Sequence, residues 1–143
     1  MNSVSQYQKV QVMTSDGVRL IIMLYEGIIN FNNCAKKAIA ENDIEGRSNY
    51  LNRSLDIITE LTNALNMDEG GQIAENLKRL YDFSVYALTN ANRTNDPGSI
   101  DEVNRIFSEL KAGWEGIASS EKGRGGNKAA LETKHNGIAQ NGL

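Results

Sequence analysis

Residues 66–96 read NMDEGGQIAENLKRLYDFSVYALTNANRTND. Apolar side chains recur there at three- and four-residue steps: Ile73, Leu77, Leu80, Tyr81, Val85, Leu88 and Ala91. That spacing is the 3.6-residue period of one helix face and not the alternation of a strand. No proline interrupts the stretch. Asp68 and Glu69 stand near its N-terminal end, where the helix dipole favours negative charge. Gly70 and Gly71 are poor interior helix residues and mark its start. A helix of about 25 residues is about 37 Å long. It is unstable alone, so its stripe must be buried against other helices.

Working outward, three more helices are expected. The first starts near Ser15 or Asp16, either of which can cap a first turn. Its seam is Ile21, Leu24, Ile28, Phe31, Ala35 and Ala38, with Leu20, Ile22, Tyr25, Ile29 and Ile39 widening the apolar surface beyond one stripe. Glu41-Asn42-Asp43 ends it. The second helix runs from about Asp43, its N-cap, to Leu65. Leu51, Leu55, Ile58 and Leu65 form one stripe, and Tyr50, Ile57, Leu61 and Ala64 form another beside it. Asp96-Pro97-Gly98 is a turn, and Ser99 with Glu102 reads as a capping box for the fourth helix. That helix carries Val103, Ile106, Phe107, Leu110, Trp114 and Ile117. Gly113 and Gly116 flank Trp114, so its end either frays or admits a closely approaching backbone.

These signals predict an all-α fold, an antiparallel four-helix bundle of residues 16–118 with short connections. Residues 1–15 are a polar N-terminal segment carrying Val4, Tyr7, Val10, Val12 and Met13, which reads as a docked segment or as a frayed terminus. Residues 119–143 contain five glycines and no sustained period and read as a flexible tail.

The chain has 143 residues and 40% hydrophobic content, enough for one domain with a real core. Its single proline favours long uninterrupted helices. A net charge of −3 argues against a nucleic-acid partner. No apolar run approaches the length of a membrane span, and MNSVSQYQKV has no signal-peptide core, so the chain reads as cytoplasmic. The one cysteine, Cys34, allows no intramolecular disulfide and is expected to be a small semi-buried hydrophobe.

Catalytic chemistry is missing from the pattern. The only histidine, His135, lies in the glycine-rich tail. A di-iron or zinc bundle needs histidine and carboxylate ligands projecting from the helices. A nucleophile–histidine pair would depend on that same His135. Gly70-Gly71 and Gly125-Gly126 neither follow a strand nor carry the lysine of a phosphate loop. No enzyme activity, cofactor or metal is expected. What remains is surface: Tyr7, Tyr50 and Trp114 are residue types enriched at interface anchors.

Four motifs in order carry a resemblance: LIIMLYEGIINF at 20–31, DIITELTNALNMDEGG at 56–71, GGQIAENLKRLYDF followed by LTNANRTND within 70–96, and KAGW ending at Trp114. Over roughly residues 7–117 the chain resembles the flagellin-specific export chaperones, the FliS family. It departs from the family pattern at Asp16-Gly17, where a Ser/Thr-Pro pair is usual; both pairs suit a helix start. The resemblance implies a cytoplasmic chaperone that binds the C-terminal segment of unassembled flagellin, prevents premature polymerisation and aids delivery to the flagellar export apparatus. It also implies that Tyr7 matches a tyrosine linked to partner binding. The partner-binding residues expected are Tyr7, Val10, Val12, Leu20, Leu24, Tyr50, Ile57, Leu61 and Trp114. The alternative is a bundle that acts mainly by homo-oligomerisation, such as a weak homodimer, through its extra apolar surface.

Overall fold

The computed structural model describes residues 15–123 of the chain, and the side chains of residues 16–120. Over that range it contains four helices and no strand: α1 (Ser15–Ala40), α2 (Ile44–Asn63), α3 (Gly71–Thr94) and α4 (Pro97–Gly123). The N-terminal segment with Tyr7, Val10 and Val12, and most of the expected tail, lie outside the described residues. The fourth helix runs to Gly123, past the boundary expected at 118.

The connections are short because each helix end carries its own stop and start. Asn42 takes the left-handed conformation (φ 57°). Its N–H donates to the Ile39 carbonyl and that of Asp43 to the Ala38 carbonyl, closing α1 in a Schellman arrangement. Asp43 then caps α2, its carboxylate accepting from the Gly46 N–H at 2.9 Å. Asn95 repeats the left-handed stop at the end of α3 (φ 62°). The next start differs from expectation. Asp96, not Ser99, begins α4: its carboxylate accepts from the Gly98 N–H, and Pro97 occupies the first helical position, where its missing N–H costs nothing. Ser99 is already inside the helix, buried and donating to Asp96.

Connections of three residues (41–43), seven (64–70) and two (95–96) make neighbouring helices antiparallel. Along α1 and α4 the pairs Glu26–Lys111 and Lys36–Asp101 run in opposite directions, as antiparallel packing requires. Each helix packs mainly on its chain neighbours, and α1 on α4, so the four close a ring with α1 diagonal to α3.

The core contains Tyr25, Ile28, Leu51, Ile58, Leu61, Tyr81, Leu88, Val103 and Phe107, with Trp114 at its edge. Tyr81 stacks on Phe107 with ring centres 6.0 Å apart, and Tyr25 meets Phe107 edge-on at 5.2 Å. Such pairs stabilise by about 0.5–1.5 kcal/mol beyond area burial. The buried face of α3 is rotated from the expected one. Ala74, Ser84 and Ala87 are buried, while Ile73 and Val85 are exposed. A reading based on large apolar residues passes over these small ones, which lie on the side that the neighbouring helices cover. In α1 the same rotation puts Tyr25 and Asn32 inside and leaves Leu24 and Phe31 half-buried. Cys34 is exposed, not semi-buried. Added Cβ atoms at Gly113 and Gly116 would meet nothing within 4 Å, so no backbone approaches there.

Candidate functional site

Leu20, Leu24, Gly27 and Phe31 follow at steps of four, three and four residues and lie on one line along α1. All are half-buried. Tyr50, Arg53 and Ile57 form the facing line on α2, with Tyr50 and Ile57 also half-buried. The two lines meet at Phe31 and at Gly27. Phe31 and Tyr50 stack with ring centres 6.5 Å apart, and the Arg53 guanidinium sits 5.6 Å over the Phe31 ring. Gly27 leaves room for the Ile57 side chain: a Cβ there would lie 3.2 Å from Cδ1 of Ile57. Leu24, Tyr50 and Ile57 also pack on the core from outside. The result is an apolar strip along the α1–α2 junction, cationic at Arg53.

The structure thus brings together Leu20, Leu24, Tyr50 and Ile57 of the expected partner-binding residues. Leu61 and Trp114 are placed elsewhere, in the core, at 1% and 7% exposure. Trp114 donates through Nε1 to the Tyr25 hydroxyl at 3.3 Å. A large amphipathic residue at the right spacing satisfied the sequence criterion, but its polar atom found an internal acceptor. Tyr7, Val10 and Val12 lie outside the described residues. Gly27, Phe31 and Arg53 join the strip. Of these, Gly27 carried a sequence signal: a glycine in mid-helix, on the same line as Leu24 and Phe31, marks a place where a neighbour comes close.

Two polar systems, one buried at its centre and one near the surface, hold the strip's supporting helices in register. Ser54 donates to Asn32 Oδ1 at 2.6 Å, Asn32 Nδ2 donates to Asn104 Oδ1 at 2.9 Å, and Asn104 Nδ2 donates to Asn33 Oδ1 at 3.0 Å. This chain joins α2, α1 and α4 and satisfies the fully buried Asn32 amide on both sides. At the far end of the strip, Arg47 donates from Nε to Asn92 and from Nη1 to Asn95. It ties the first turn of α2 to the C-terminal end of α3, where positive charge is favourable.

The tyrosine hydroxyls of the core carry no acid–base chemistry at neutral pH. Burial pushes Tyr25 up to about 12, and Tyr81 is raised well above the ordinary tyrosine value, first by burial and then by Tyr25 beside it. Among the described residues, no group of three or more histidine, cysteine or acidic side chains could hold a metal ion. Nor is any helix there long and apolar enough to cross a membrane.

Residues 1–121 match the family described as "Flagellar protein FliS". The chain is 37% identical over 119 residues to the flagellar secretion chaperone FliS of Vibrio cholerae, covering 80% of this chain and 88% of that one. It is 34% identical over 122 residues to the flagellar secretion chaperone FliSB of Pseudomonas aeruginosa, covering 82% and 97%. Against the flagellar secretion chaperone FliS of Bacillus subtilis it is 31% identical over 121 residues, covering 85% and 90%.

Proposed function

The chain belongs to the FliS family of flagellar secretion chaperones, and on that premise we propose that it is a cytoplasmic, non-enzymatic export chaperone. It binds the C-terminal segment of unassembled flagellin, prevents premature polymerisation, and aids delivery to the flagellar export apparatus. The observation that carries this reading is the half-buried strip Leu20, Leu24, Phe31, Tyr50 and Ile57. These side chains complete neither the core nor a solvated face, and their contact with a partner removes further apolar area from water. A partner disordered when free can lay an amphipathic helix on such a strip and so hide its own assembly surface. Residues 1–12 contribute to the same site, with Tyr7, Val10 and Val12 either sharing the strip with flagellin or competing for it.

Calorimetric titration with a flagellin C-terminal segment tests the reading. A stoichiometric complex is expected. Leu24→Asp with Ile57→Asp should weaken it at least about tenfold, a loss of about 1.4 kcal/mol, with the far-UV circular dichroism unchanged. No binding by the native protein overturns the proposal. Concentration-dependent self-association that is lost in the double variant, without any flagellin binding, supports the homo-oligomer instead. Deleting residues 1–12 should change affinity: tighter binding identifies a competing cover, weaker binding a part of the site.

A further inference from the structure

The side of α3 opposite its buried face has an unusual composition. Asn76, Arg79, Phe83, Tyr86, Asn90 and Arg93 follow at steps of three, four, three, four and three residues, which places them on one line. The line holds two aromatic side chains, two arginines and two amides; exposed Glu75 stands beside it one turn before Arg79, and Asn90 is half-buried, donating to Ser99 of α4. Tyr86 is 70% exposed and Phe83 41%. Arg79 donates to Asn76 at a long 3.5 Å and Arg93 to Asn90 at 2.9 Å, so both guanidinium groups are held along the helix by neutral side chains. Neither has a carboxylate within ion-pair distance among the described residues. The adjacent Asp82 is engaged by Lys78 at 2.7 Å. An ordinary solvated helix face mixes lysine and glutamate; tyrosine, phenylalanine and arginine are instead the residues enriched at binding hot spots.

We propose that this face of α3 is a second docking surface, for an acidic amphipathic helical segment of a partner protein. Charge complementarity selects that occupant. Covering Phe83 and Tyr86 removes water from the flanking arginines, and a desolvated guanidinium requires a carboxylate partner. Arg79 and Arg93 are separated by about 21 Å of helix. Salt screens charges beyond about 8 Å. The partner's acids must therefore lie near each end of a segment about four turns long, with apolar residues between them over Phe83 and Tyr86. Because α3 lies diagonally across the bundle from α1, the surface points away from the α1–α2 strip, and both can be occupied at once.

The probes are two fluorescein-labelled helical peptides of equal length with a leucine-rich centre, one with glutamates towards both ends and one with lysines there. Binding to the full chain is read by anisotropy. The acidic peptide should bind at least about tenfold tighter than the basic one, and added salt should narrow the difference. Arg79→Glu with Arg93→Glu should invert the preference, so that the basic peptide binds better. Both residues are exposed, and unchanged circular dichroism shows that the variant is folded. Tyr86→Ala should weaken the acidic peptide without inverting the preference. Equal binding of the two peptides, or a preference that survives the double reversal, overturns the proposal. Loss of acidic-peptide binding once a flagellin segment is bound also overturns it, because the surface would then belong to the first site. Self-association through this face, abolished by Tyr86→Ala without peptide, assigns it to a second copy of the chain and overturns it as well. The peptide measurements on the free chain stand whether or not flagellin binds.

Discussion

The hydroxyls of Tyr25 and Tyr81 meet at 2.7 Å in the centre of the bundle and join α1 to the helix diagonally across from it. Trp114 of α4 donates to the same Tyr25 oxygen, so three of the four helices share one buried polar point. Phe107 supplies the ring surface for both tyrosines.

Tyr25→Phe should therefore cost about 1–3 kcal/mol, since it strands the Tyr81 hydroxyl and the Trp114 N–H in a dry interior. Tyr81→Phe should cost less in the Tyr25→Phe background than in the native protein, because its partner is already gone. Urea unfolding of the double-mutant cycle measures this. Additive losses would show that the hydroxyl pair contributes nothing as a pair.

Alkaline pH should destabilise the fold through the same residues. The folded-state value of Tyr25 is about 12 and that of Tyr81 is raised, against an ordinary tyrosine value of 10.0. Above pH 10 the unfolded chain releases these protons and the folded one retains them. The stability contributed is thus complete below pH 10 and is lost as pH rises towards 12. The slope approaches about 1.4 kcal/mol per pH unit for each tyrosine. Stability of the Tyr25→Phe, Tyr81→Phe variant should fall less steeply across that window; parallel curves would contradict the assignment.

The asparagine chain should be sensitive at its buried end and tolerant at its exposed end. Ser54→Ala removes the donor to Asn32 Oδ1 and should cost about 1–2 kcal/mol. Asn33→Ala removes only the exposed end of the chain and should change stability by less than about 0.5 kcal/mol. Thermal unfolding of the two variants provides the comparison, and equal effects would deny that burial sets the cost.

Trp114→Ala should lower stability by about 3–5 kcal/mol while leaving flagellin affinity per folded molecule unchanged. Its indole is buried against Tyr25, away from the α1–α2 strip. A variant as stable as the native protein but weak in flagellin binding would return Trp114 to the partner site.

The four helices and the Asp43 cap were legible in the sequence because their causes are local, although the start of α4 lay at Asp96 and not at Ser99. The 3.6-residue period, the Asp43 cap and the single Pro97 all act within a few residues. The family was legible too, because its motifs are contiguous runs. The inward sides of α2 and α4 were legible too, through Leu51, Ile58, Val103 and Phe107, but those of α1 and α3 were decided only by the tertiary structure. Ala74, Ala87 and Ser84 are buried because of where α3 sits against the other helices, and Asn32 is buried because Ser54 and Asn104, far away in sequence, satisfy its amide. The same holds for the surface. Leu61 and Trp114 share residue type and spacing with Leu24 and Tyr50. They differ in what the neighbouring helices place over them, and burial is a property of the assembled bundle that no single helix carries.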